Sequence, residues 1–298
     1  MKKYVSIDIG GTAIKYGLID EEGRILCKEQ MKTEAEQGGP SIVDKVVKIV
    51  NEFTEVKKIS ISGICISTAG MVDTRKGEIF YSAPLIPNYT GTKWKELLES
   101  QFGVPCEVEN DVNCAGLAEY ISGASKGSES AIMLTIGTGI GGSLIINGNV
   151  FHGFSGSACE VGYMYMDNSD FQTLGAASIL TKKVAEKKNE PEELWDGYHI
   201  FEEAKKGDSI CNQTIDEMAD VLGKGIANIC YVVNPQVVVL GGGIMAQKAY
   251  LQDKIENAVK KYLVPYLAEN TKIVYAEHKN DAGMLGAFYH FCRCRGEN

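Results

Sequence analysis

The chain has 298 residues, 44% of them hydrophobic and 23% charged, an ordinary globular composition with length for one large domain or two lobes of about 150 residues each. A formal net charge of -9 with no basic stripe argues against a nucleic-acid or anionic-membrane surface. The opening MKKYVSIDIGGT is too short in apolar residues for a secretory segment, no run approaches the roughly 18 of a membrane span, and nine dispersed cysteines in contexts such as GICIS and NICYVV read as reduced thiols of a cytoplasmic protein.

Alternation in YVSID and AIKYGLID predicts two strands around a glycine turn, and Asp20 to Gly23 turns into a third strand. SIVDKVVKIVNEF has helical spacing, and ISISGICI (Ile59–Ile66) reads as a strand. AGMVDTRKGEIFYSAPLIPNYTG is turn-rich and expected to cover a pocket. WKELLESQFG is a helix stopped by glycine, PCEVEN a short strand, and VNCAGLAEYISG a helix ended by Gly123.

The opening pattern then recurs. Tyr4–Ile25 and Ala131–Phe151 both run apolar strand, polar residue, glycine-rich turn, apolar strand, second glycine turn. The second turns, at Gly23 and Gly148, fall 13 and 11 residues after Gly10 and Gly137. This reads as an internal repeat of one supersecondary unit; the plainer alternative is a coincidence of two glycine-rich hairpins. The second half turns helical in ASILTKKVAEKKN, PEELWDGYHIFEEAKKGD and NQTIDEMADVLGKGIANICYVV. PQVVVLGGGI is a buried strand, KAYLQDKIENAVKKYLVPYL a helix, TKIVYAEH a strand and DAGMLGAFYHFCR a closing helix. Alternating strands and helices predict an α/β protein of two similar lobes with a cleft between them, divided as 1–112 plus 284–298 and 113–283. Ligands of such sheets bind at the carboxyl ends of strands.

Three glycine-rich loops follow strands: Asp8-Ile-Gly10-Gly11-Thr12, Gly137-Thr138-Gly139-Ile-Gly-Gly142 and Gly241-Gly242-Gly243. Glycine lets backbone N–H groups approach an anion, the threonines add hydroxyl donors, and a strand-end carboxylate such as Asp8 can hold Mg²⁺ or its waters between phosphates. There is no Gly-Lys-[Ser/Thr] leading into a helix, and the loop at Gly137 leads into a strand, where a Rossmann loop opens a helix. Tight hairpins and bulges are the competing explanation. Lys15 reaches either phosphate or solvent.

Glu109, Asn110, Asp111 and Asn113 form an acid–amide cluster before a helix. One Asp or Asn suffices for an N-cap, so four such residues suggest a site, with Asn113 helping to cap. His152 reads as a loop residue, and His199, His278 and His290 as structural. Asp73 and Arg75 read as a surface turn, and Met284, Leu285 and Phe288 as core. Cys292-x-Cys294 is spaced too tightly for a structural zinc site.

These residues resemble the ROK family of sugar kinases, within the two-lobed actin/hexokinase/heat-shock ATPase (ribonuclease H-like) fold with an internally repeated sheet core, over essentially the whole chain. Asp8 to Thr12 matches the family's first phosphate loop, Glu109-Asn110-Asp111-Val-Asn113 its sugar and catalytic motif, Leu134 to Gly142 with Glu160-Val-Gly162 its signature, and Gly241 to Gly243 its adenosine loop. The resemblance implies ATP- and Mg²⁺-dependent phosphoryl transfer to a sugar hydroxyl, usually O6. Asp111 is then the general base, and Asn110 and Glu160 hold sugar hydroxyls. Gly70 falls in the sugar loop STAGMVD, and Asn88 in the loop that follows. A homodimer is implied as well. Two departures stand out: Tyr163 replaces the usual His, and MYMDNSDFQTLGAAS lacks the cysteines of the family's zinc loop. A structural zinc is therefore expected to be absent, and the tail AEHKNDAGMLGAFYHF looks most like β-glucoside kinase-like members. The alternatives are an N-acetylmannosamine kinase and, from another class, a non-catalytic sugar-responsive regulator. Repressors of the family carry a helix-turn-helix before the first phosphate loop, and a loop beginning at Asp8 leaves no room for one.

Overall fold

Tyr4, Val5, Ile7 and Ile9 are each at most 1% exposed, so their strand is buried on both faces and belongs in the middle of a covered sheet. The computed structural model, which describes residues 1–82 and 86–297, places it there; Asn298, the last residue of the expected first lobe, lies outside the described residues. In chain order come β1 (Lys3–Ile9), β2 (Ala13–Asp20), β3 (Ile25–Lys32), α1 (Gly38–Asn51), β4 (Gly63–Thr68) and the hairpin β5 (Met71–Asp73) and β6 (Glu78–Tyr81). These are followed by α2 (Trp94–Phe102), β7 (Cys106–Asn110) and α3 (Asp111–Ser122). The sheet runs β3-β2-β1-β4-β7, with β1 antiparallel to β2 and parallel to β4, and β4 parallel to β7.

A second sheet repeats this order. β8 (Ser130–Ile136) pairs antiparallel with β9 (Ile140–Ile146), beyond which lies β10 (Asn149–Val150). On its other side β8 runs parallel to Val237–Gly241, and that strand parallel to Lys272–Tyr275. Both sheets therefore follow the spatial order third, second, first, fourth, fifth, and the repeated sequence pattern supplies the first three strands of each. Each has its own apolar core, around Ile7, Ile42 and Trp94 in one and around Ile132, Phe171 and Phe201 in the other.

The chain divides into one unit of residues 1–123, 150–158 and 280–298 and another of 124–149 and 159–279. The expected break after residue 112 thus moves to the far end of α3. The cause is close packing between α3 and the C-terminal helix (Ala282–Arg295). A Cβ added to Gly286 would stand 1.8 Å from the Cys114 carbonyl oxygen, so the two backbones touch.

Other differences have local causes. β4 begins at Gly63, not Ile59, because its ladder with β1 starts there, Gly63 opposite Tyr4. The helix expected through KAYLQDKIENAVKKYLVPYL stops at Tyr262, and a second begins at Pro265. Proline holds the preceding Val264 extended, with φ -59° and ψ 145°. PEELWDGYHIF breaks at Trp195, after which Asp196 caps a new helix by accepting the His199 N–H at 2.7 Å. The turn-rich segment after Ala69 contains the β5–β6 hairpin. All nine cysteines are free, and no described helix is long and apolar enough to cross a membrane.

We expect Gly286→Ala to lower stability by about 1–3 kcal/mol by forcing the two helices apart, read as a fall in the thermal unfolding midpoint. Gly197→Ala is the control, because its Cβ would meet nothing within 4 Å at a helix start. Equal midpoints for the two variants would show that the helix pair has room to spare.

Candidate active site

Three parallel strands of the N-terminal unit, β1, β4 and β7, end side by side, and their last residues carry most of the polar chemistry of that unit. At the end of β7 the backbone of Asn110 is extended, with φ -62° and ψ 145°, and its Oδ1 accepts the N–H groups of Val112 (2.9 Å) and Asn113 (3.1 Å). Asn110 is therefore the N-cap of α3. Asn113 does not cap. It already lies in the first turn, and its Nδ2 donates to Glu109 Oε1 at 3.1 Å. The Asn110 Nδ2 donates to the Gly70 carbonyl (2.9 Å) and to Asp111 Oδ1 (3.1 Å), which also accepts the Val112 N–H (2.9 Å). Asp111 thus stands at the first position of α3, its carboxylate oriented by two donors and favoured by the positive helix end.

Glu109 is 1% exposed. Its Oε1 accepts the Asn110 N–H at 2.8 Å, and its Oε2 lies 2.7 Å from His152 Nε2 and 3.5 Å from His290 Nδ1. Burial pushes the Glu109 carboxyl up, but the His152 bond and the nearby His290 outweigh it and hold the carboxyl below its ordinary value. His152 is raised by its bond to Glu109 against the opposing effect of burial. Burial lowers His290, against the opposing pull of Glu109 and Glu107. His152 lies in a loop, as expected, and is in addition the partner of a buried carboxylate. One signal was present in the sequence, since a Glu in the apolar run CEVEN must find a partner if it is buried, and the chain has only four histidines.

Thr68 pairs with Asn110 across β4 and β7, and its hydroxyl shares a hydrogen bond with the buried Tyr89 hydroxyl. Sequence reasoning singled out neither residue. Gly70 has φ +101°, which favours glycine, and an added Cβ would lie 3.0 Å from the Tyr81 carbonyl. Asn88, also left-handed at φ 55°, lines a groove of about 380 Å³ with Gly39, Val43 and Leu97.

Asp8 faces Lys15 across β1 and β2 and Ser67 across β1 and β4. Ser67 Oγ donates to Asp8 Oδ1 at 2.7 Å, and Lys15 Nζ lies 3.7 Å from Oδ2. Lys15 thus turns toward Asp8. Burial raises the Asp8 carboxyl, opposed by Ser67 and Lys15. A Cβ on Gly283 would lie 2.3 Å from Asp8 Cγ, so glycine lets the carboxylate pack on the first turn of the C-terminal helix. Gly10 N–H closes the turn onto the Ala13 carbonyl at 3.1 Å, leaving Gly11 and Thr12 exposed at its tip.

In the other unit, Gly137 N–H donates to the Gly139 carbonyl at 2.9 Å, and the Gly137 carbonyl accepts the Ala177 N–H at 2.9 Å at the start of the helix Ala177–Lys188. Ser178 Oγ donates to the Thr138 carbonyl at 2.7 Å. Gly242 has φ +95°, and its Cβ would fall 2.2 Å from the Ile136 carbonyl, so Gly241 to Gly243 lie against the strand that carries Gly137. Glu160 is exposed at the start of the short turn Val161–Tyr163, and surrounding protein atoms nudge its carboxyl upward. Tyr163 is exposed too.

Among the described residues, one group has metal-compatible spacing, Glu107, His290 and Cys294. Glu107 is already paired with Lys95 at 2.9 Å and Arg295 at 2.8 Å, which makes an ion-pair cluster the simpler account.

The lowered Glu109 contributes stability present above its ordinary value and lost as pH falls through the lowered one. The raised His152 contributes stability present below its ordinary value and lost as pH rises through the raised one. His152→Gln should therefore lower the melting temperature most at about pH 5–6, with the gap narrowing above about pH 8. A gap that does not vary with pH would show that the pair is not ionic.

A model of the ROK family matches residues 4–293. The β-glucoside kinase of Listeria monocytogenes is 31% identical over 297 residues, 97% of each chain. A ROK family glucokinase from Streptomyces griseus, solved with glucose and AMPPNP, has a TM-score of 0.83 and 26% identity, covering 96% of this chain and 97% of that one. A ROK family protein from Streptococcus pneumoniae, solved with sucrose, has a TM-score of 0.86 and 30% identity over 99% of this chain and 100% of that one. On a family match that runs nearly end to end, and on the strand-end geometry that goes with it, this chain belongs to the ROK family and has its actin-like ATPase fold.

Proposed function

We propose that this protein transfers the γ-phosphoryl group of ATP to a hydroxyl of a hexose or hexoside, with O6 the expected acceptor. The observation that carries this reading is Asp111. It is a carboxylate at the first position of a helix, oriented by the Val112 N–H and Asn110 Nδ2, beside the Gly70 loop.

A sugar hydroxyl is a weak nucleophile at neutral pH. Phosphoryl transfer proceeds through a loose transition state, so it needs alignment, charge neutralisation and a base for a proton released late. In the proposed step the bond between the γ-phosphorus and its bridging oxygen breaks, the sugar O–P bond forms, and the hydroxyl proton passes to Asp111. The positive end of α3 favours negative charge at that position. Asn110 is largely committed to the cap and to Gly70, so it places Asp111 and the Gly70 loop as much as it holds a sugar hydroxyl. Gly70, Asn88 and Glu160 are the further sugar residues in this reading. Gly10, Gly11, Thr12 and Lys15 bind phosphate in the N-terminal unit. Gly137, Thr138 and Gly139 do so in the C-terminal unit, and Gly241 to Gly243 take the adenosine end.

Asp8 suits magnesium. One oxygen is held by Ser67 at 2.7 Å, the other has Lys15 only at 3.7 Å, and burial raises the carboxyl. A desolvated carboxylate with a short donor supply fits a hard dication shared with phosphates and waters. Magnesium, when bound, would neutralise charge on the phosphates. The segment 163–177 has no cysteine, so a structural zinc is not part of this reading. A homodimer belongs to it and is checked by sedimentation.

Asp111→Ala should lower kcat by roughly 10²–10⁴-fold while ATP still binds; wild-type turnover in that variant would remove Asp111 from its role. ATP consumption should be assayed with glucose, mannose, N-acetylmannosamine, N-acetylglucosamine, fructose and cellobiose. Turnover is expected with glucose or cellobiose. Preference for N-acetylmannosamine would favour that alternative kinase, and sugar binding without any turnover would favour a non-catalytic regulator.

A further inference from the structure

The hairpin beside the Gly70 loop contains an irregularity that neither the fold nor the phosphoryl-transfer step requires. Val72 pairs with Ile79 and Met71 with Tyr81, so Phe80 is an extra residue in β6. In a regular strand, consecutive side chains point to opposite faces. The bulge abolishes that alternation, and both Phe80 (39%) and Tyr81 (47%) are exposed. Bulges near active sites commonly re-aim side chains in this way.

These two residues stand next to the candidate site through named contacts. A Cβ on Gly70 would lie 3.0 Å from the Tyr81 carbonyl and 3.7 Å from Ser82 Cβ, and the Gly70 carbonyl accepts Asn110 Nδ2 at 2.9 Å. A third ring approaches along another segment. His152 is bonded to Glu109 at 2.7 Å, and a Cβ on Gly156 would lie 3.4 Å from both Phe80 Cε1 and the Val72 carbonyl. Phe154 lies between these anchors, within about 7 Å of chain reach from either, and is fully exposed. Gly153 and Gly156, on either side, have φ of +69° and +81°. Glycine thus supplies the turns on either side of the exposed ring. Contacts and short chain links run from Asn110 through Gly70, Tyr81, Phe80, Gly156 and His152 back to Glu109 within one unit, and Phe80, Tyr81 and Phe154 on this circuit are exposed.

Such rings leave apolar surface in water, which a ligand with a flat apolar face would cover. The polar groups at Asn110 and Asp111 suit one pyranose. A glycoside carries a second group at C1 and leaves O6 free to accept phosphate. We propose that Phe80, Tyr81 and Phe154 form an aglycone subsite that stacks on the second ring of a glycoside, making disaccharides and aryl glycosides the substrate class. This rests on the sugar-kinase reading above. It agrees with the relative named β-glucoside kinase and with the sucrose-bound neighbour, neither of which says which residues of this chain contact the second ring.

The test compares wild type, Phe154→Ala, Phe80→Leu and the double variant. Each is assayed with phenyl β-D-glucoside, cellobiose and glucose, by steady-state kinetics and in parallel by calorimetric binding. Phe154 is exposed, so its replacement leaves the core untouched. The double variant should lower the glycoside-over-glucose ratio of kcat/KM by about tenfold, mainly through KM, with a matching selective loss of glycoside binding. A ratio unchanged in every variant, in kinetics and in binding, overturns the subsite. So does an unchanged ratio accompanied by a shift in oligomeric state, which would assign the rim to a second copy of the chain. If wild type turns over none of the acceptors, the kinase reading fails, and calorimetry alone decides the subsite.

Discussion

A carboxylate buried at the end of a strand must be satisfied or neutralised, and the Glu109 carboxylate constrains everything around it. It accepts the Asn110 N–H, Asn113 Nδ2 and His152 Nε2, each within 3.1 Å. Those bonds join the end of β7, the first turn of α3 and the segment 150–158. Removing one partner of a buried ionic pair leaves an uncompensated charge, which is why such a centre holds its neighbours in place. Asn110 and Asp111 are bonded directly to this centre or to each other, so their orientation follows from it. Residues 150–158 group with the N-terminal unit although the chain on either side of them belongs to the other, and the His152–Glu109 bond is a physical reason.

Close backbone approach is the second constraint. Gly283 lets Asp8 sit on the first turn of the C-terminal helix, Gly286 lets that helix touch α3, and Gly242 lets its loop lie on Ile136. In each case a methyl group would collide, at 2.3, 1.8 and 2.2 Å respectively. The strand ends therefore bear polar groups because small residues behind them let rigid elements come near. Interiors packed to this density do not yield cheaply, so these glycines set how closely the elements approach.

The strands, the repeated sheet and the three glycine loops were legible in the sequence because alternation and glycine turns are local signals. The misjudged boundaries share one origin. Pro265 and Trp195 split elements, and the ladder with β1 decides where β4 starts, for reasons of partner and backbone geometry that apolar spacing does not register. The cap was legible as a type of residue but not as a position. Four candidates stand in five residues, and only the extended backbone of Asn110 selects it. The loop position of His152 is legible, but at the histidine nothing local signals a carboxylate 43 positions away.

By itself the sequence determined the element types, the repeat and the presence of an acidic residue at a strand-to-helix junction, since each depends on residues close together in the chain. Tertiary structure alone decided which cluster member caps, that Lys15 turns to Asp8, that Glu109 and His152 are a pair, and that a bulge exposes Phe80 and Tyr81 together. Those outcomes depend on strand register and backbone geometry, and for Glu109 and His152 on a contact across 43 positions, set only when sheets pair and helices pack.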